Sequence, residues 1–364
     1  MHIGKKILND IMPALVADYD IDLTAEEYEA FSNSLNDNHE IFYLDDYKSR
    51  QCTSFGLMNK IVEHAGKKKI LRFLSGLAGM EPQIQALQPW NRDHVVHPIH
   101  TFFTGVYILN RIEFPPNHKT LYSPVLMWRF IAPIHDLGYP IEMAGSIQRE
   151  FIGIMNGILS EIKPGSARLR QGLWPDNLDT LYHGKSAIDL IQNQLNEWSL
   201  EIDVKDYFNW LQKHNKVDHG IIGALAQLKV MDALGRERDA IGPEESSEKR
   251  TLPYGRDGSG LDMVSAAASI FIHNIDLNYP HFNHKVNFHI APMAFLLFLC
   301  DTFQEWDRYA DRRMVFQGNE FNIEYENQSI FLSVPHQLEA QMYEILNKRL
   351  EGIPIFINDR STVR

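Results

Sequence analysis

Apolar residues recur every three to four positions along most of the chain, which is the spacing of a helix with one buried face. The pattern holds over residues 7–78, where Thr24-Ala-Glu-Glu is typical of a capped helix start, and again in a long series from about residue 93 to 313. Residues 81–93 contain proline and tryptophan and predict a loop between the two stretches. The sequence therefore predicts a mainly α-helical fold.

The pattern changes after Arg313. Residues 321–325 and 329–334 alternate in the manner of two strands, and an amphipathic helix is expected from about His336 to Leu350. Pro354-Ile-Phe-Ile-Asn could add a third strand. A unit of this size buries little surface alone, so we expect it to pack on the helical core or on another subunit. The sequence thus predicts three regions: an N-terminal helical region over 1–80, a helical core over 81–313 and a small α+β appendage over 314–364.

One segment interrupts the helical series. Residues 235–260 contain five glycines, two prolines and many charged residues, a composition typical of a mobile excursion and not of a packed element. The segment lies between two of the histidines that carry the predicted chemistry. It could therefore close over a small ligand.

The composition restricts the class of protein. Lys and Arg total 35 against 47 Asp and Glu, so the net charge of −12 argues against a protein that binds long nucleic acid electrostatically. The cysteines, Cys52 and Cys300, are too few for a disulfide framework. The N-terminus lacks the apolar core of a signal peptide, and no apolar stretch is long enough to cross a bilayer. We therefore expect a cytoplasmic protein without a membrane segment.

An adjacent histidine and aspartate form the strongest chemical signal. His135 and Asp136 follow the apolar run Trp128-Arg-Phe-Ile-Ala-Pro-Ile, which predicts a helix that ends in this pair and is then stopped by Gly138 and Pro140. Imidazole nitrogen and carboxylate oxygen together suit divalent ions such as Mn, Fe, Co, Ni or Mg. The alternative is a buried histidine beside a capping aspartate.

Three more histidines stand upstream, in the segment His94-Val-Val-His97-Pro-Ile-His100. Proline is tolerated in the first turn of a helix, so Pro98 predicts a helix that begins close to His97. We therefore prefer His97 as a metal ligand. His94 and His100 are the alternatives for that role, or could orient a neighbouring group through hydrogen bonds.

Further polar residues lie at the ends of apolar helices downstream. Asp218-His219 begins one predicted helix, and His273-Asn274 ends another. A buried imidazole at such a position needs a metal ion or a polar network, because an unpaired polar group is costly in an apolar core. Asp301 follows the apolar run 292–300 and shares one helical face with Gln304, Glu305 and Arg308.

The order of these motifs resembles the HD superfamily of metal-dependent phosphohydrolases. A histidine, the His-Asp pair, two further histidines and an aspartate follow one another on successive helices over about residues 93–313. The resemblance implies an all-helical core that holds divalent ions between helices. It also implies a ligand set for two ions, in which Asp136 would be the bridging carboxylate: His97, His135, Asp136, His219, His273 and Asp301.

The resemblance further implies hydrolysis at phosphorus, which requires cations near the developing negative charge. Arg308 is the first candidate, and Lys185 and Arg149 are weaker ones, for which ordinary surface charge is the favoured alternative. Many HD enzymes carry a lysine shortly after the His-Asp pair, whereas this chain has Tyr139. The predicted site thus has Asp136 and Arg308 as catalytic residues and Asn274, Arg308 and Lys185 as substrate-binding residues.

The substrate class is indicated only in part. His273-Asn274 is similar to a helix of the deoxynucleoside triphosphohydrolases, although the additional histidines that follow their His-Asp pair are absent. We therefore favour a small (deoxy)nucleoside polyphosphate, with a cyclic nucleotide or cyclic dinucleotide phosphodiesterase as the alternative. A third hypothesis is a catalytically silent nucleotide-sensing or interaction protein. The edges of the late strands could also pair in a homo-oligomer.

Overall fold

Helices make up most of the structure around the predicted ligands. The computed structural model describes residues 94–95, 97–115, 123–162, 178–181, 184–241, 259–276, 278–282, 285–303, 322–334 and 336–357, with short pieces at 24–26, 52, 55–56, 76 and 79–82. Residues 25–26 are helical, in agreement with the predicted start after Thr24. The rest of the predicted N-terminal helical region lies outside the described residues apart from those pieces.

The helices follow one another through the centre of the chain. They are α1 (His97–Leu109), α2 (Pro124–Trp128), α3 (Tyr139–Ile162), α4 (Ala187–Glu197), α5 (Val204–Lys213), α6 (His219–Ile241), α7 (Ser259–His273), α8 (Pro292–Phe303) and α9 (His336–Arg349). The predicted starts at His97 and His219 and the predicted end at His273 are confirmed. None of the helices in the described ranges has both the length and the apolar character that a membrane crossing needs.

Local capping chemistry explains where several helices begin. The side chain of Ser186 accepts a hydrogen bond from the backbone N–H of Asp189 at 3.1 Å, which caps α4. Asp203 caps α5 in the same way through the backbone N–H of Asp206, at 2.8 Å. Pro98 lies in the first turn of α1, where a missing backbone N–H breaks no helical hydrogen bond.

The segment that carries His135 and Asp136 differs from the prediction. α2 ends before it, and a 3-10 helical turn, Ala132–Ile134, leads directly into the pair. Pro133 lacks the N–H that a continuing α-helix requires, which favours the tighter turn. The expectation that Pro140 stops a helix is wrong, because it lies in the first turn of α3, where proline is tolerated.

α7 and α8 lie at the centre of the hydrophobic core. α7 packs against α4, α6 and α8, and α1 packs against α8 and the 3-10 turn. The indole N–H of Trp128 donates to the carbonyl oxygen of Phe102 at 2.9 Å, so this buried polar group is satisfied. The largest fully buried side chains come mainly from these elements: Phe102, Phe103, Trp128, Tyr207, Phe271, Phe295 and Phe303.

Helices extend into both ends of the segment over about residues 235–260 that the sequence predicts to be a mobile excursion. α6 continues to Ile241, and α7 begins at Ser259. Extending an existing helix adds one hydrogen bond for each residue, so a single glycine such as Gly235 is tolerated there. Residues 242–258 lie outside the described part of the chain, and the mobility expected of them stays a prediction.

The sequence predicts the C-terminal strands and helix, and the structure confirms them. β2 (Asn322–Glu326) and β3 (Ser329–Ser333) form an antiparallel hairpin, and β5 (Ile355–Ile357) pairs with β3 in parallel. A separate two-residue strand, β1 (Val286–Asn287), pairs in parallel with β4 (Leu350–Glu351). Because β1 lies between α7 and α8, the main chain of the appendage is hydrogen-bonded to the helical core.

Candidate metal centre

The ends of several elements bring five predicted ligands together. His97 begins α1, His135 and Asp136 lie in the turn before α3, His219 begins α6 and His273 ends α7. All five residues are buried, with relative exposures of 6% or less. Helix ends can meet at one point while the bodies of the helices pack around it. The apolar helices and the polar residues at their ends are therefore parts of one arrangement.

The first group of candidate ligands consists of His97, His135 and Asp136. The Nε2 atoms of the two histidines are 3.1 Å apart. Oδ1 of Asp136 lies 3.4 Å from Nε2 of His135, and Oδ2 lies 3.7 Å from Nε2 of His97. Asp301 from α8 joins them, since its Oδ1 is 3.0 Å from Nε2 of His97 and 3.6 Å from Nε2 of His135. Two imidazoles and two carboxylates thus face one another.

The second group consists of His219, His273 and the same Asp136. The Nε2 atoms of the two histidines are again 3.1 Å apart, and Nε2 of His219 lies 3.3 Å from Oδ1 of Asp136. The rings of His135 and His273 are in edge contact, with 5.2 Å between their centroids, so the two groups are neighbours. Two groups of histidine and aspartate residues could therefore hold metal ions, with one carboxylate common to both.

The paired nitrogens have a spacing that fits a cation between them. An ion about 2.0–2.1 Å from each of two nitrogens at right angles separates them by about 3 Å. Nδ1 of His135 donates to the carbonyl oxygen of Ala132 at 2.7 Å, and Nδ1 of His273 donates to that of Ile270. Their Nε2 lone pairs are therefore directed into the site. Two lone pairs facing each other repel unless a proton or a metal ion lies between them.

A carboxylate that the sequence pattern does not reveal supports the second group. Glu142, in the first turn of α3, accepts hydrogen bonds at Oε2 from the backbone N–H and from ring Nδ1 of His219, both at 2.7 Å. It thereby caps the start of α6 and orients the imidazole. The only sequence feature that marks Glu142 is its place as an acidic residue in the first turn of a helix. Such residues are too common to reveal that Glu142 binds His219, which lies 77 positions away.

The charges of these residues depend on one another. Burial would lower the pKa of His219, but the charge of Glu142 and hydrogen bonds to Asp136 and Glu142 raise it to about 10. Burial would raise the pKa of Glu142, yet the charge and hydrogen bonds of His219 bring it below its usual value. Burial lowers the pKa of His273 to about 3, and the nearby His219 and His135 act in the same direction. Without metal, His219 is therefore an imidazolium and His273 is neutral.

A polar layer lies behind His219. The amide nitrogen of Asn274 is 3.0 Å from Nδ1 of His219, 3.2 Å from Oδ1 of Asp218 and 3.4 Å from Oε2 of Glu142. Asp218 also accepts a hydrogen bond from the hydroxyl of Tyr207. Burial, and then the charge of Glu142, raises the pKa of Asp218 to about 6. These contacts hold Asn274 against the protein, and its predicted role in substrate binding stays a prediction.

Two glycines allow the ligand-bearing segments to approach closely. A Cβ atom on Gly138 would overlap the carbonyl oxygen of His219, and one on Gly220 would lie 2.9 Å from the carbonyl oxygen of Phe271. A side chain at either position would therefore push two of the segments apart. The sequence alone predicts that Gly138 ends a helix, whereas in the structure Gly138 lies where the His-Asp turn contacts the start of α6.

The two alternative histidines lie beside the site. Nδ1 of His94 is 3.3 Å from Oε2 of Glu81, and its ring stacks on Tyr139 with 3.5 Å between centroids. His100 is buried one turn after His97. Neither His94 nor His100 belongs to either ligand group within the described ranges, which favours His97 as the ligand.

Two of the three predicted cations, Lys185 and Arg149, lie in the described part of the chain. Lys185 is an exposed residue just before α4. The guanidinium of Arg149 donates to the carbonyl oxygen of Asn215 and to the hydroxyl of Ser146, both at 2.7 Å. Arg308 lies outside the described residues. The cation that would face a substrate therefore stays a prediction.

Neither protein-family models, nor curated proteins, nor solved structures match this chain. The resemblance to the HD superfamily therefore rests on the residues and their order. The structure adds a mainly helical fold and two buried groups of histidine and aspartate residues that could bind metal.

Proposed function

We propose that this chain is a metal-dependent phosphohydrolase of the HD type, which hydrolyses a phosphate ester or anhydride bond of a nucleotide. The shared carboxylate carries the proposal: Oδ1 of Asp136 lies 3.4 Å from Nε2 of His135 and 3.3 Å from Nε2 of His219. A carboxylate between two sets of imidazoles suits a pair of divalent ions. Mn, Fe, Co, Ni and Mg all accept such donors.

The residues of the site would have different roles in binding metal ions and substrate. Bound divalent ions would lower the pKa of a water molecule and neutralise charge on the phosphoryl oxygens. His135 and His273 would present their Nε2 atoms, because their Nδ1 atoms are hydrogen-bonded to backbone carbonyls. Asp301, whose side chain is 14% exposed, would be the ligand closest to an entering substrate.

We favour a (deoxy)nucleoside polyphosphate as the substrate. The similarity of His273-Asn274 to a helix of the deoxynucleoside triphosphohydrolases supports this choice. The net charge of −12 disfavours long nucleic acid and is compatible with a small ligand neutralised by metal. Arg308, which follows α8 along the chain, would provide positive charge against the phosphates.

A hydrolysis screen with added metals tests the proposal. The purified chain is incubated with Mn, Co, Ni or Mg and a panel of nucleoside polyphosphates, cyclic nucleotides and cyclic dinucleotides, and the products are separated by chromatography. Tripolyphosphate, orthophosphate or a linear monophosphate would each identify a different scissile bond. In Asp136→Asn, which removes the shared charge at nearly constant size, we expect activity to fall more than about 100-fold.

Asp189→Asn is the matched control, because this aspartate lies on the surface of α4 with its side chain 59% exposed. It should retain the activity of the unchanged chain. Activity that survives Asp136→Asn would contradict the proposed role of the shared carboxylate. No product with any metal would overturn the enzymatic proposal and favour a nucleotide-binding protein without catalysis.

A further inference from the structure

The histidines of the site differ in what holds their rings. Nδ1 of His135 and Nδ1 of His273 donate to backbone carbonyls three residues earlier in their own segments. Nδ1 of His219 instead donates to the carboxylate of Glu142, which belongs to another helix. The side chain of Glu142 is itself 27% exposed. The orientation of His219 therefore depends on side chains outside the two ligand groups: Glu142 accepts the ring N–H, and the amide nitrogen of Asn274 lies 3.0 Å from the same ring atom.

Glu142 restrains His219 at two points with one oxygen. Oε2 accepts from the backbone N–H and from ring Nδ1, both at 2.7 Å, so it restrains the start of α6 and the rotation of the imidazole together. Rotation of the ring would take Nε2 away from Nε2 of His273 and Oδ1 of Asp136, now at 3.1 Å and 3.3 Å. Asn274, just after α7, contacts the same oxygen at 3.4 Å.

We propose that Glu142 is a positioning residue on which binding of the second ion depends. The inference rests on the proposed function, because it requires an ion in each ligand group. Other elements hold the first group: His97 on α1, His135 in its turn and Asp301 on α8. Loss of the Glu142 carboxylate should therefore weaken the second group selectively and convert a two-ion centre into a one-ion centre.

Manganese binding to the intact chain tests this inference independently of catalysis. Mn²⁺ per chain is measured by equilibrium dialysis with elemental analysis, and the electron paramagnetic resonance spectrum distinguishes a coupled pair of ions from an isolated ion. The unchanged chain should bind two ions with a coupled spectrum. Glu142→Gln should bind the first ion normally and the second about 10- to 100-fold more weakly, with the spectrum of an isolated ion.

Glu150→Gln is the matched control, because Glu150 is an exposed glutamate on the same helix. It should bind both ions with a coupled spectrum. Normal binding of the first ion to Glu142→Gln shows that the variant is folded. Asn274→Ala provides a second variant, in which loss of the contacts with the Glu142 carboxylate and with Nδ1 of His219 should weaken binding of the second ion by a smaller factor.

The outcomes separate this inference from the proposed function. Two ions of unchanged affinity in Glu142→Gln would overturn the inference and leave the proposed function standing. Loss of both ions in that variant would overturn it as well, because the effect would not be selective. An unchanged chain that binds one ion contains no second ion for Glu142 to support, which also overturns the inference. An unchanged chain that binds none overturns the proposed function itself.

Discussion

The buried carboxylate of Asp136 lies against both pairs of histidines. A carboxylate removed from water costs free energy unless positive charge compensates it. Without metal, the imidazolium of His219 supplies such charge, with its Nε2 at 3.3 Å from the carboxylate. A metal ion bound to the second group would take the place of this proton. The protonation of His219 and metal binding are therefore competing events at one atom.

This competition predicts that the second ion binds more tightly as the pH rises. The pKa of His219 is raised to about 10, so over the neutral range an ion must displace a proton from Nε2. One proton displaced for each ion bound increases the apparent affinity about tenfold for each unit of pH below that pKa. Calorimetric titrations with Mn²⁺ at several pH values, in buffers of different ionisation enthalpy, measure both the affinity and the protons released. His219→Asn should lose this dependence, and a pH-independent second ion in the unchanged chain would contradict it.

Among the elements, close backbone contacts determine whether the helix ends can meet. Gly138 contacts the start of α6, and Gly220 contacts carbonyl oxygens near the end of α7. Gly223 adds a third contact, since a Cβ there would lie 3.2 Å from the carbonyl oxygen of His135. The turn before α3 and the two helices thus approach through positions without side chains. The convergence of ligands depends on these small residues as well as on the ligands.

Gly138→Ala should destabilise the fold and weaken metal binding together. The added Cβ atom would overlap the carbonyl oxygen of His219, so the start of α6 must move. Overpacking of this kind lowers the free energy of unfolding by about 1–3 kcal/mol, which urea denaturation measures. Gly153→Ala on α3 is the control: among the described residues, no atom beyond its chain neighbours and the backbone of its own helix lies within 4 Å of the added Cβ, and a stabilisation of about 0.5–1 kcal/mol is expected. Equal effects of the two changes would be inconsistent with the close contact at Gly138.

At the scale of the whole molecule, α9 of the C-terminal appendage contacts the segment that follows His273. Arg349 on α9 is buried, and its Nη2 donates to the carbonyl oxygen of Ile275 at 3.0 Å. The guanidinium also lies 5.0 Å from the ring centroid of Phe282. Ile275 follows His273 by two residues, so the contact from α9 reaches the end of the helix that carries a ligand. The pairing of β1 with β4 adds main-chain hydrogen bonds between the same regions.

Arg349→Met should therefore lower the stability of core and appendage together. The change leaves the carbonyl oxygen of Ile275 without this donor inside the protein, which costs about 1–3 kcal/mol. Scanning calorimetry should show a single transition at a reduced Tm. Lys348→Met alters a neighbouring side chain that is 64% exposed and should change stability by less than about 0.5 kcal/mol. Two separate transitions in the unchanged chain would mean that the appendage unfolds independently.

The sequence by itself determined the helical class, the C-terminal strands and the order of the candidate ligands. These features are local, because apolar spacing, prolines in first turns and alternating residues act within a few positions. His97 was identified because Pro98 follows it at a helix start. His273 and Asp301 were identified because polar residues stand out against apolar runs. Composition does not show how far a packed helix extends, so the helical residues at the two ends of the segment over about 235–260 come from the structure.

Only the tertiary structure decided how these residues combine. Packing between segments far apart in the chain places Asp136 against two pairs of histidines. The same packing brings Glu142 into hydrogen-bond contact with His219. The role of Gly138 is likewise decided by the neighbour it touches and not by its own turn. The physical reason is that local sequence patterns specify elements and their buried faces, whereas the position of one helix end against another depends on the fit of side chains across the whole core.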